Sequence, residues 1–224
     1  MLAELASGIS HEINQPLAAI STYAQACRRM AADPVANSAL IVQTLEKINQ
    51  QAERAGKVVQ SMRRLVRHQG VEAQPLRVNA LLEDVESLLA IDPRKLQVSC
   101  TLDAADARVQ GDETQLQQVL VNLVRNAYEA CAQSSPRVQV ELRSQVLSRD
   151  WVELAVLDRG PGVAAHMSDQ IFQPFVTGRQ EGLGLGLSIS KSIVDAHGGE
   201  LSFRPREGGG TCFTILLPRE GEDA

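Results

Sequence analysis

The sequence predicts an α+β protein in two parts: an N-terminal antiparallel helical hairpin, paired into a dimeric four-helix bundle, followed by an α/β sandwich. Three observations predict it. Apolar residues recur at helical spacing through the first 66 residues, one proline-containing break divides that run, and beyond Pro75 short β-like runs interleave with helical ones.

The first helix is expected from Leu2 to about Met30. Ala6, Ile9, Ile13, Leu17, Ile20, Ala24, Cys27 and Ala31 follow one another at steps of three and four and so share a face. "ADPVAN" ends it, since Pro34 disfavours helix at the residue before. A second run, Ile41, Leu45, Ile48, Ala52, Ala55, Val59, Met62 and Val66, alternates four and three for about four heptads, the spacing of a coiled-coil seam. One hairpin covers two such stripes poorly, which predicts a homodimer.

After "RHQGVEAQP" the pattern changes. "PLRV", "LQVSCTL", "RVQVELRSQ", "WVELAVLD", "GELSFRP" and "TCFTILLP" read as strands. Between them "NALLEDVESLLA", "DETQLQQVLVNLVRNAYEACA" and "LSISKSIVDAHGG" read as helices, the last closed by a glycine pair suited to a C-cap. An α/β or α+β sandwich is expected over residues 75–220.

Composition narrows the function. A net charge of −5 with no basic face argues against nucleic acid as a partner. Cys27, Cys100, Cys131 and Cys212 lie far apart with no C-x-x-C pair, which reads as core residues in a reducing compartment. No stretch approaches the roughly 20 apolar residues of a membrane span, so a cytoplasmic piece without membrane contact is expected, any anchor of the full-length protein lying elsewhere.

Four clusters carry chemistry. In "GISHEINQPLAAI", His11 points away from the apolar stripe and is expected to be exposed, beside Glu12. An imidazole nitrogen is a competent nucleophile when a carboxylate takes or orients the proton on the other nitrogen. Pro16 removes the amide that would bond the Glu12 carbonyl and should bend the helix. Asp112 and Gln115 suggest a capping box at the start of a helix that carries Asn122 and Asn126 on one face. Those amides either face solvent or need buried partners, and an amide oxygen also suits magnesium.

"LDRGPG" places Asp158, Gly160 and Gly162 where a strand of alternating character meets a loop. This is ordinary turn chemistry, or a carboxylate accepting from an exocyclic amine such as adenine's. "EGLGLGLSIS" sets Gly182, Gly184 and Gly186 before a helix, whose N-terminus favours phosphate. Thr177 and Arg179 stand just upstream, within reach of phosphate oxygens if the loop folds over a nucleotide. Of Phe172 and Phe175, at least one is expected to be plain core.

These clusters, in this order, resemble the catalytic core of two-component sensor histidine kinases across essentially the whole chain. "HEINQPLAAI" is similar to the phosphoacceptor box of nitrogen-fixation and dicarboxylate sensors, "NLVRNAYEA" to the N box, and "DRGPG", "GLGLGL" and "GGGTCF" to the glycine boxes. "FQPF" is similar to the F box. The resemblance implies a dimerisation and histidine-phosphotransfer domain over residues 1–69 and an ATP-binding domain over 70–224, with a hinge near "HQGVEAQP". It implies autophosphorylation of His11 by ATP with Glu12 as base, Asn126 as magnesium ligand, Asn122 near the phosphates and Asp158 reading adenine. Gly160 and Gly162 would shape that pocket, Gly182, Gly184, Leu185 and Gly186 would form the phosphate-facing end of a lid, and Thr211 would lie near the base. The phosphoryl group would pass to an aspartate on a response regulator. Gln15 departs from the Thr or Asn common one turn after the histidine, which argues against strong phosphatase activity, and Arg179 replaces a frequent lysine with charge kept.

Overall fold

The computed structural model describes the backbone of residues 2–66, 73–89, 96–104, 107–132, 135, 137–178 and 184–220; within these, the side chains of residues 2–12, 57 and 60–66 are not described. By contacts the chain divides into two compact units, Met1–His68 with Thr177–Leu185, and Gln69–Val176 with Gly186–Ala224.

In the first unit α1 (Leu2–Met30) packs along α2 (Ser38–Val66), the two helices where their periodicity predicts them. Side chains close the connection between them. Asn37 donates from Nδ2 to the carbonyls of Met30 (3.2 Å) and Asp33 (2.9 Å), and Asp33 Oδ1 accepts from the Ala36 amide at 3.1 Å. Carbonyls released at the end of α1 thereby find donors. Pro16 lies inside α1 and is buried. Leu17, Leu40, Val42 and Leu45 are each about half exposed, and Val58 is fully buried.

The second unit is a two-layer α/β sandwich. Its main sheet runs β2 (Leu96–Asp103), β4 (Val138–Val146), β5 (Trp151–Leu157), β7 (Thr211–Pro218), β6 (Glu200–Pro205), with β2 parallel to β4 and the remaining pairs antiparallel. A separate ribbon pairs β1 (Gln74–Arg77) with β3 (Arg108–Gly111). Helices α3 (Val78–Leu89), α4 (Glu113–Cys131) and α5 (Gly186–Ala196) join the core that covers one sheet face. Burial on α4 falls at Leu116, Val119, Leu120, Leu123, Val124, Ala127 and Cys131, the helical stripe, and each sealed leucine there contributes about 1.5–3 kcal/mol.

Two strand expectations change. β3 was not anticipated, because a four-residue segment flanked by Arg108 and Gln110 offers only Val109 as an apolar cue. β5 is not an alternating strand: Val152 to Leu157 are all buried. Val152, Leu154 and Val156 face the helices, while Ala155 and Leu157 form a small cluster with Cys212 on the opposite face, as the period of two requires. A central strand reads as continuously buried because neighbours shield both its faces. Among the described residues, no helix is long and apolar enough to cross a membrane.

Candidate functional site

Helix α4 is the rail of the site. Its N-cap is Asp112, whose Oδ1 accepts from the Gln115 amide at 3.0 Å. The box is only half of the expected one. Gln115 Nε2 returns to Asp112 Oδ2 (3.1 Å), and the Asp112 amide donates instead to Nε2 of buried His197 at 3.0 Å. Since Nε2 accepts, the ring proton sits on Nδ1, which donates to the Ile193 carbonyl at 2.7 Å. One imidazole thus joins the start of α4 to the end of α5. Gly198 at φ 69° and the Gly199 amide on the Val194 carbonyl (3.0 Å) finish α5 as the glycine pair predicts.

Further along α4, Asn122 and Asn126 are partly buried on the flank of the apolar stripe. Asn122 Nδ2 donates to Ser190 Oγ on α5 at 3.0 Å. A Cβ added to Gly186 would stand 2.6 Å from Asn122 Oδ1, so the first turn of α5 comes against this amide only because residue 186 has no side chain. The N-terminus of α5, with its outward N–H groups, is therefore beside Asn122.

At the far end of α4 the chain ties a tight knot around Asp158, which is 2% exposed. Its Oδ1 accepts from the amides of Gly160 (2.7 Å) and Thr211 (3.1 Å), while its own amide donates to the Thr211 carbonyl at 2.9 Å. Among the described residues Oδ2 accepts no protein hydrogen bond, which leaves that oxygen for a donor from a ligand. Gly160 is close-packed: a Cβ there would meet Asp158 Oδ1 at 3.1 Å, Ala130 Cβ at 3.2 Å and Cys131 Sγ at 3.4 Å. Burial pushes the Cys131 thiol up, opposed by the Arg159 backbone amide. Gly210, at φ 103°, lies so close to the Asp158 carbonyl that no side chain fits.

The structure therefore brings together Asp158, Gly160 and Thr211 at one end of α4, and Asn122 with Gly186 nearer its middle. From Asn122 to Cys131 is about 13 Å of helix at 1.5 Å per residue. Gly162 (φ 80°) approaches the Gly210 carbonyl at what would be 3.6 Å from a Cβ. Gly184 (φ 63°) and buried Leu185 precede α5, and Thr177 is exposed. Phe172 is core, edge-on to Phe203 at 6.1 Å, and Phe175 holds a positive φ of 67°. Arg179, Gly182 and the side chains of His11 and Glu12 lie outside the described residues.

Four residues were not anticipated: His197, Ser190, Glu141 and Arg206. Ser190 carries a readable signal, a buried hydroxyl one turn after Gly186 in an apolar helix. Arg206 has none locally. Its Nη2 pairs with Glu141 Oε2 (2.9 Å) and its Nη1 donates to the Asp158 carbonyl (3.3 Å), while Arg143 Nη2 holds Glu141 Oε1 at 2.7 Å. Arg143, with Arg206 adding to it, holds the Glu141 carboxyl below its ordinary value.

Comparison with known proteins agrees with this fold. Residues 1–70 match the His Kinase A (phospho-acceptor) domain, and residues 111–221 match the Histidine kinase-, DNA gyrase B-, and HSP90-like ATPase. The C4-dicarboxylate transport sensor protein DctS of Rhodobacter capsulatus is 37% identical over all of this chain and 34% of its own length. Sensor protein FixL of Bradyrhizobium diazoefficiens is 37% identical over 99% of this chain and 44% of its own. The chain thus spans less than half the length of these relatives. The solved catalytic domain of histidine kinase ThkA is 32% identical, covering 66% of this chain and 96% of that domain, at a TM-score of 0.58. ThkA in complex with response regulator protein TrrA aligns over 100% of this chain and 63% of that one, with 27% identity and a TM-score of 0.74.

Proposed function

The chain belongs to the sensor histidine kinases, and from that premise we propose that it is an ATP-dependent autokinase passing a phosphoryl group from His11 to an aspartate on a response regulator. In this reading residues 1–69 dimerise and carry the phosphoacceptor, and residues 70–224 hold ATP. One observation carries the ATP part: an acceptor for an exocyclic amine, Asp158 Oδ2, lies by one end of α4, and the phosphate-favouring start of α5 lies beside Asn122 further back along it.

The nucleotide would lie along α4, its adenine amine on Asp158, its base edge near Thr211 and its pocket shaped by Gly160 and Gly162. Asn122, Thr177, Arg179 and the segment Gly182, Gly184, Leu185, Gly186 would surround the phosphates. Magnesium keeps several waters and takes phosphate oxygens as ligands, so a single amide oxygen, that of Asn126, is a fitting protein contribution; when bound, the ion neutralises phosphate charge. A lone pair on one His11 ring nitrogen attacks the γ-phosphorus, the bond to the β,γ-bridging oxygen breaks with its electron pair leaving on ADP, and Glu12 accepts the proton from the other ring nitrogen. Positioning supplies most of the acceleration in such a step.

Half-exposed Leu17, Leu40, Val42 and Leu45 support a second copy of the hairpin as partner. The solved complex of ThkA with TrrA supports a response regulator as acceptor. The test is labelling with γ-labelled ATP. Wild type should gain acid-labile, base-stable phosphate, His11→Gln none and Asn126→Asp little. Undiminished labelling of His11→Gln would remove His11 as acceptor.

A further inference from the structure

We propose that Arg206 is a positioning residue for base recognition: by tying the Asp158 carbonyl to Glu141, it fixes the direction of the free Asp158 oxygen and thereby the preference for a 6-amino purine. The inference rests on the nucleotide reading above. Asp158 follows the end of β5, where strand pairing no longer holds the backbone on both sides. Its amide and Oδ1 are held by Thr211 and Gly160. The carbonyl is the remaining handle, and Arg206 Nη1 takes it at 3.3 Å.

Arg206 can do this because it is anchored at both ends. Its backbone lies in the turn before β7, the Arg206 amide donating to the Gly210 carbonyl (3.1 Å) and the Gly209 amide to the Arg206 carbonyl (3.1 Å). Its guanidinium is held by Glu141 at 2.9 Å, and the Arg206 side chain is only 17% exposed. Glu141 stands opposite Leu157 in the β4–β5 register, one residue before Asp158, and Arg143 holds its second oxygen. A planar fork bridging a carboxylate and a carbonyl has one geometry, which a flexible lysine does not reproduce.

The direction matters for a chemical reason. An adenine presents an amine donor to Asp158 Oδ2, whereas hypoxanthine presents a carbonyl oxygen at the same place and gains nothing from it. Tilting the carboxylate costs ATP its hydrogen bond and costs inosine triphosphate nothing. A general loosening of the fold lowers the affinity for both alike.

The experiment measures binding of ATP and of inosine triphosphate to wild type, Arg206→Met and Arg206→Lys, with thermal unfolding alongside. Arg206→Met should weaken ATP by roughly ten-fold, the size of one charge-assisted hydrogen bond, and leave inosine triphosphate within about two-fold. Arg206→Lys should keep part of the preference. Should Arg206→Met fail to fold, Glu141→Gln, which keeps the shape and removes the charge behind Arg206, carries the same comparison. An unchanged preference in the folded variant overturns the role of Arg206, as does equal loss for both nucleotides. Wild type that binds neither nucleotide, or both equally, overturns the reading of Asp158 itself, and the inference falls with it.

Discussion

Replacing His197 by alanine should destabilise the sandwich well beyond a surface change. The ring is 8% exposed and makes two hydrogen bonds, from the Asp112 amide and to the Ile193 carbonyl. Losing both, with part of the ring's volume left unfilled, costs about 2–4 kcal/mol. For a unit of this size each kcal/mol lowers Tm by about 2–4 °C, so a fall of roughly 4–16 °C is expected. Trp151, the single tryptophan, opens β5 and reports this unit's unfolding by fluorescence. Gly111 provides an internal control. A Cβ there would stand 2.8 Å from His197 Cδ2 and 2.9 Å from Leu116 Cδ1, so Gly111→Ala is destabilising by itself. With the ring gone part of that clash disappears, and the double variant should be more stable than the sum of the singles by at least 0.5 kcal/mol. A Tm fall under about 2 °C for His197→Ala, or strict additivity, would refute the joint between α4 and α5.

Two further outcomes follow from the same geometry. Gly186→Ala places a methyl group 2.6 Å from Asn122 Oδ1 and must displace the amide that bonds Ser190. Because a side-chain tip and not backbone gives way, ATP affinity should fall about ten-fold with Tm almost unmoved, as equilibrium binding and calorimetry will show. Cys100, though only partly buried, has its thiol pushed up to about 12, by burial first and then by the Glu86 carboxylate beside it. Thiolate is the reactive form, so iodoacetamide at pH 8 should leave Cys100 intact, and rapid alkylation there would show that the burial is not sustained in solution.

Much of this architecture was readable from spacing. The hairpin's helices, α3 to α5 and six of seven strands announce themselves through periodicity and turn residues, because burial of one face imposes a period. The glycines beside Asp158 were readable for the same kind of reason, since a turn at a strand end needs them. What escaped depends on pairs distant in sequence. Nothing near Asp112 says that its amide is satisfied 85 positions later by His197. Nothing near Arg206 names Glu141 or Asp158 as its partners. The alternation assigned to β5 failed because its strand order, between β4 and β7, is a tertiary fact.

That strand order has a consequence for how the domain is completed. β7 follows β6 in the chain yet inserts between β6 and β5, and its first residue supplies both the donor and the acceptor that clasp Asp158. A chain truncated before Thr211 would keep α4, both asparagines and the aspartate while leaving β5 with a raw edge and the carboxylate held by the Gly160 amide alone. On the reading proposed for Asp158, full competence to hold a base therefore requires β7 in its place between β5 and β6, since a sandwich without that strand lacks half of the clasp.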